Sequence, residues 1–307
     1  MKLPGVARVR EPRIYGRIVS KTLFIDSNHL DECAALWRKG DYTHLGLESY
    51  NDAFKLPNVG FLGDFPAVSR ITVTLDHRID LSGLAQQARS LREILINDEI
   101  NAVEDLTPLT KLRKLTMTWR RSIEFPARFA ELRELALTHF RPDSRDLRSL
   151  PAAPHLTSLG LGPARIDSLA GIERYGKLQQ VGLYRLSDLQ DVGGLRRLKR
   201  LRSVDLDLCN GSFSLDRVLR GSRQITHLKY MKSVPLPDIR FVLQLPRLRN
   251  FVFLHTQVSD GDMTALTQHR ALEYVAFTKK RHFSHSMEKV NRILNERKPR
   301  GRRVART

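Results

Sequence analysis

Cysteine is nearly missing from this 307-residue chain: Cys33 and Cys209 are the two it has. Two distant cysteines cannot build a disulfide framework, so a reducing, cytoplasmic setting is expected. No apolar run approaches the roughly 20 residues of a membrane-spanning helix. The first ten residues, MKLPGVARVR, hold no run of signal-peptide length. Membrane insertion is therefore not expected. The chain also has no glycine-rich phosphate loop, no nucleophile elbow and no Cys–His pair in a supporting context. His282-x-x-His285 could hold a metal, but no third ligand stands at a usual spacing, so neither metal nor cofactor is assigned. These absences point away from catalysis.

What is present is a period. Apolar residues recur as a hexad with the first, fourth and sixth places filled. Leu91-Ile94-Ile96, Leu112-Leu115-Met117, Leu132-Leu135-Leu137 and Leu156-Leu159-Leu161 show it, and Leu178-Val181-Leu183, Leu201-Val204-Leu206, Leu248-Phe251-Phe253 and Leu272-Val275-Phe277 continue it. Counting Val68 and Ile225 as well, successive first places lie 20 to 24 residues apart. Two weaker units precede them, at Tyr42-Leu45-Leu47 and Leu23-Ile25. In an extended segment alternate side chains face opposite ways, so the fourth and sixth places share a side. After each hexad the apolar spacing changes to about three, as in Ile166-Leu169-Ile172-Tyr175-Leu178, which suits a 3₁₀-like or short helical return. Pro66, Pro154 and Pro246 each stand two residues before a first place, where proline ends the return without disturbing a ladder.

This Leu-x-x-Leu-x-Leu pattern resembles the leucine-rich repeat superfamily, over roughly residues 20 to 280, and most of all its short-repeat bacterial cytosolic members. The resemblance implies an α/β solenoid: a horseshoe with a parallel β-sheet on its concave face and short helical or 3₁₀ returns on its convex face. About 12 repeats are expected over 20–280, the N-terminal ones atypical. Secreted members usually carry disulfide-bonded end caps, which two distant cysteines cannot form. Cys209 occupies the place where the family motif has Asn or Cys and is expected in the core; Phe140, Ala164, Leu186 and Thr256 stand there in other units. The open ends need covers. Leu30, Cys33 and Leu36 suggest a helix after a cap at Ser27 or Asn28, and Met287, Val290, Ile293 and Leu294 suggest a C-terminal capping helix within 281–298, started by Ser284.

The net charge of +19 is concentrated at the termini. Six cations face one acid in residues 1–21, and eleven face two in 279–307, leaving +5 for everything between. A basic N-terminal extension (1–19) and a basic disordered tail (299–307) follow from this. Such segments bind phosphate through counterion release or simply stay solvated.

Within each repeat the second, third, fifth, seventh and eighth places face away from the core. In the later units this gives a mixed aromatic, acidic and apolar strip of Tyr184, Asp205, Asp207, Lys229, Met231 and Leu254. Trp119, His139, Arg185 and His255 stand at the eighth place, on the rim. Tyr, Trp and Arg are the residues that dominate protein interfaces. Asp205 and Asp207 alternate on one strand, a spacing that would also suit paired acid–base work, but an open face offers no pocket to perturb them. The sequence thus points to a noncatalytic, monomeric scaffold gripping a protein partner of unknown identity, with an immunity or antitoxin-like protein as one specific version. The alternative is a nucleic-acid-associated protein using its basic termini.

Overall fold

The computed structural model describes residues 9–10, 13–14, 17–18, 21–40, 42–49 and 52–297. The tail expected at 299–307 and most of the 1–19 extension lie outside the described residues. The chain divides into two compact units. The first runs to Arg141 and also takes Ser149–Leu156; the second comprises Pro142–Arg148 and the chain from Thr157 on.

In the first unit β1 (Val9–Arg10), β2 (Arg13–Ile14), β3 (Arg17–Ile18) and β4 (Thr22–Phe24) come in succession. β1 pairs antiparallel with β4, and β2 with β3. From β4 onward the strands are parallel: β5 (His44–Glu48), β6 (Arg70–Thr74), β7 (Glu93–Ile96), β8 (Lys114–Thr118) and β9 (Glu134–Thr138). Their inward residues are the fourth and sixth places of the hexads, and all are buried, from Leu45 and Leu47 to Leu135 and Leu137. The helix expected near the start is α1 (Leu30–Lys39), burying Cys33, Ala34 and Trp37. Neither Ser27 nor Asn28 caps it. The residue before the helix is His29, which makes no side-chain cap bond; Ser27 Oγ instead donates to Ala53 O at 3.2 Å. Trp37 ties α1 to the next coil, its Nε1 donating to Pro66 O at 2.8 Å.

The second unit repeats the plan. Its parallel strands are β10 (Ser158–Leu161), β11 (Gln180–Tyr184), β12 (Ser203–Asp207), β13 (His227–Met231), β14 (Asn250–Phe253) and β15 (Tyr274–Phe277). Returns between them are 3₁₀ turns at Ile172–Arg174, Gly193–Arg197 and Arg240–Gln244, or the short helices α2 (Leu215–Leu219) and α3 (Thr264–Gln268). The spacing of three predicted these elements.

A helix, α4 (Met287–Glu296), follows β15 and buries Val290 and Leu294. Its cap is Ser286, whose side chain accepts from Lys289 N; Ser284 instead accepts from Met263 N at 2.9 Å. Asn291 on α4 accepts from Val275 N at 3.0 Å and donates to Val275 O at 2.8 Å. One amide thus satisfies a donor and an acceptor that β15 would otherwise offer to a further strand.

Six returns open on a device invisible to the hexad. A short acceptor side chain binds the amide two residues on, across one buried apolar residue. Asp80 does this for Ser82, Asp105 for Thr107, Asp146 for Arg148, Asp191 for Gly193, Asp238 for Arg240 and Asp262 for Thr264, with N···O distances of 2.8–2.9 Å. The residues between, such as Leu81, Leu106, Val192 and Ile239, are core. These Asx turns preset the bend into the return. Their amide and hydroxyl donors hold Asp80 and Asp105 below the usual carboxylate range, and Arg240 does most of this for Asp238.

The place where the family motif carries Asn is filled differently here. In the second unit Cys209 Sγ reaches Leu183 O at 3.5 Å, and Thr256 Oγ1 donates to Tyr230 O at 2.9 Å. Cys209 is fully buried, as expected, and burial pushes its thiol up to about 11. In the first unit the buried Asn101, two places later than the motif position, donates to His77 O at 3.0 Å and accepts from Ile79 N at 2.9 Å.

Core deletions in such a stack leave cavities that neighbours cannot close. Leu159→Ala or Leu183→Ala, each 1–2% exposed, is expected to cost about 2–5 kcal/mol in urea unfolding. Acid should act in two stages. Burial lowers His44 to about 4 from an ordinary 6.5 and also lowers His269. Their contribution is complete above pH 6.5 and declines as pH falls, since only the unfolded chain takes the proton. The depressed Asx carboxylates add a second loss below their ordinary 3.8. Unfolding free energy measured from pH 7.5 to 3 should fall in both ranges, and His44→Gln should flatten the first.

Candidate functional site

The outward face of the second unit's sheet is built by strict register. Gly182, Asp205, Lys229 and Val252 lie side by side across β11, β12, β13 and β14, and Tyr184, Asp207 and Met231 form the row beside them. Each outward residue thus has a cross-strand neighbour one repeat away. Lys229 Nζ bonds Asp205 Oδ2 at 3.0 Å, with both side chains 41% exposed. Asp205 is therefore committed to a cation. Asp205 Oδ1 and Asp207 Oδ1 are screened from water and accept no hydrogen bond among the described residues.

Tyr184 is 41% exposed, a large ring at the C-terminal end of β11. The Arg185 guanidinium lies 5.4 Å from its centroid, close enough for a cation–π contact. Met231 and Leu254 are half-buried, flanking the fully buried core residues Tyr230 and Phe253. The two glycines nearby differ in kind. A Cβ on Gly162, at φ +148°, would overlap the carbonyl oxygen of Tyr184, so glycine there is a requirement of close approach. A Cβ on Gly182 would meet nothing within 4 Å. Packing therefore does not require glycine at 182, and the floor beside Tyr184 is open backbone.

The eighth place departs from the extended rim that alternation suggests. His139, Arg185 and His255 have φ of 55°, 54° and 56°, as do Leu208 and Lys232 at 57° and 46°. A left-handed residue ends the strand at this place in five units. Trp119 and His139 belong to the first unit, apart from the strip just described. Trp119 is half-buried and packs edge-on against Phe140, centroids 5.4 Å apart. His139 Nε2 lies 3.1 Å from Glu99 Oε1, without hydrogen-bond geometry. His255 is exposed, and its amide donates to Thr278 Oγ1 at 2.9 Å. Tyr274, at the third place of the last strand and 50% exposed, is a large outward side chain that a reading of fifth, seventh and eighth places passes over.

His282 and His285 have separate partners. His282 Nε2 bonds Val258 O at 3.0 Å, and His285 Nδ1 bonds Ser284 Oγ at 2.9 Å. Among the described residues no group of three or more His, Cys, Asp or Glu is placed to hold a metal ion, and no helix is long and apolar enough to cross a membrane.

No protein-family model and no curated protein matches the chain. Solved structures do. The chain is similar over 81% of its length to a structure of a TLR13–ssRNA13 complex, at 15% identity and a TM-score of 0.52. It matches an internalin of Listeria monocytogenes over 80% of its length (17% identity, TM-score 0.46) and a leucine-rich-repeat protein of Leptospira interrogans over 79% (14%, 0.45). It spans 63% of the internalin, 43% of the TLR13 structure and 74% of the Leptospira protein. At these identities the likeness concerns the fold alone. With the repeated strand, return and register described above, that fold is the leucine-rich repeat.

The two glycines give a direct check on which parts of this face packing dictates. Gly162→Ala should destabilise by about 1–3 kcal/mol, since backbone must move to admit the Cβ. Gly182→Ala should be neutral or stabilising by about 0.5–1 kcal/mol, because alanine restricts the unfolded chain at no native cost. Urea unfolding of both variants decides it; equal losses would mean that Gly182 is also needed by the fold.

Proposed function

We propose that this chain is a noncatalytic scaffold that grips a protein partner on the outward face of its second-unit sheet, with Tyr184 as the anchor. The observation that carries this reading is the exposed Tyr184 ring beside Gly182, whose open floor packing does not require. Met231 and Leu254 add half-buried apolar surface, while the Asp205–Lys229 pair and Asp207 supply polar specificity. An aromatic centre within a polar surround is the usual anatomy of a protein interface. Carboxylates at its middle disfavour a phosphate backbone. The same carboxylates lack the supporting cast of an acid–base pair, because Asp205 is spent on Lys229.

A cytoplasmic setting goes with this reading: Cys33 and Cys209 are buried free thiols, suited to a reducing compartment. A protein that shields a toxic enzyme from its own cell, as an immunity protein or antitoxin does, is one specific form of the scaffold. It rests on analogy with what such open faces do elsewhere.

Crosslinking in native extract followed by mass spectrometry identifies the partner, and calorimetry then tests the face. Tyr184→Ala should weaken binding by about 2 kcal/mol or more, the range for an aromatic anchor, and Met231→Ala by less. Both variants should keep wild-type stability. Arg270→Ala, an exposed residue on a return, should change nothing. Binding lost with Arg270→Ala and untouched by Tyr184→Ala would move the partner to the returns.

A further inference from the structure

The repeats' small net charge hides a strong local segregation. Residues 196–224 of the second unit carry eight Lys and Arg against three acids. Two of those acids, Asp205 and Asp207, lie on the outward sheet face, and the third, Asp216, is held by Ser214 Oγ. All of the cations but Arg202 stand in the return segments. There the end of the Gly193–Arg197 turn and the chain leaving α2 border a half-open cavity of about 590 Å³. Arg196, Lys199, Arg220 and Arg223 all line it, over a floor of the buried Leu198 and Leu201. No carboxylate lines it. None of the four cations has a side-chain hydrogen bond or ion pair among the described residues, although ion pairs stud this unit elsewhere, as at Arg145–Asp188 and Arg240–Asp238. A further guanidinium is tethered at the rim, where Arg247 Nη1 donates to the lining Gln224 Oε1 at 2.6 Å.

Cations at the ends of short helical turns are common and often only keep a surface solvated. Four of them converging on one cavity without a counter-charge is a different situation, because each raises the electrostatic cost of the others and an anion relieves all of them together. We propose that this cavity is a binding site for an oligophosphate group, a short chain of phosphates carried by a small molecule. Guanidinium and ammonium groups are the standard partners of phosphate oxygens. The volume lies in the range of small-ligand sites, about 300–1,000 Å³. No aromatic side chain lines the cavity to stack a base, which argues for recognition of the phosphates and against a single-stranded nucleic acid. The proposal is independent of the partner face on the sheet and uses none of its residues.

The test uses the full chain and inorganic tripolyphosphate, titrated by calorimetry at fixed salt, with adenosine triphosphate as a second arm. Two double variants remove the same charge. Arg220→Gln with Arg223→Gln empties half of the cavity's cations; Arg128→Gln with Arg270→Gln removes two exposed ones elsewhere. Saturable binding of tripolyphosphate that weakens about tenfold or more in the first variant, and less than about twofold in the second, supports the site. Equal affinity for adenosine triphosphate assigns recognition to the phosphate chain alone, and tighter, equally variant-sensitive binding of the nucleotide assigns the ligand to a nucleoside polyphosphate. The proposal is overturned by three results: no saturable binding, equal losses in both variants, or a short DNA duplex binding the cavity that tripolyphosphate fails to displace.

Discussion

A single coil of this chain has a strand whose backbone groups point outward at both edges and two core side chains with nothing beneath them. Neither defect can be repaired within the coil. Both are repaired by the coil before and the coil after, through one bond repeated down the chain. In the first unit the amide of Arg92 bonds Ser69 O, that of Arg113 bonds Arg92 O and that of Arg133 bonds Arg113 O, all at 2.7–2.8 Å. In the second, Arg202 bonds Gln179 O, Thr226 bonds Arg202 O, Arg249 bonds Thr226 O and Glu273 bonds Arg249 O, each at 2.8 Å. Stability is then a sum of coil interfaces. Some outward places, such as Gly182, are thereby released from packing duty, whereas others, such as Gly162, are not.

That freedom stops where the stack stops. Among the described residues no strand follows β15, and one donor and one acceptor of its free edge, Val275 N and O, fall to a single amide, Asn291, presented by α4. The last coils also gain an aromatic spine, with Phe251, Phe253 and Phe277 stacked at centroid spacings of 4.7 and 5.0 Å. Between coils the chain uses whatever short side chain can reach the previous carbonyl: Asn101 in one place, Cys209 or Thr256 in others. The requirement is a buried hydrogen bond, since an unmet backbone carbonyl in the core is costly, and several residue types meet it.

The hexad was legible because burial at the fourth and sixth places is the same demand repeated, and repetition averages out local exceptions. What escaped notice was local. The Asx turns that open the returns read, in sequence, as ordinary solvated aspartates; only the buried residue following each one, such as Leu81 after Asp80 or Ile239 after Asp238, marks them. Asn101 was missed because it sits two places beyond the motif position. Trp119 was legible as an outward residue, but its packing on Phe140 depends on the next coil. The cationic cavity was invisible to a charge count along the chain, because Arg196 and Arg223 meet only when successive returns are stacked. Of the outward strip, the register of Tyr184, Asp207 and Met231 follows from alternation, whereas the open space above Gly182 depends on how neighbouring side chains lie.

Two faces of the second unit thus carry separate chemistry, an aromatic and acidic sheet face and a cationic return side. The central claim is that the sheet face is where a partner sits. Hydrogen–deuterium exchange of the full chain, free and saturated with the partner recovered by crosslinking, tests it most directly. The account predicts added protection in peptides covering β11 to β14, around Tyr184, Asp207, Met231 and Leu254, with the returns unchanged. Protection confined to the returns, with the strands of that face exchanging as in the free chain, would contradict it.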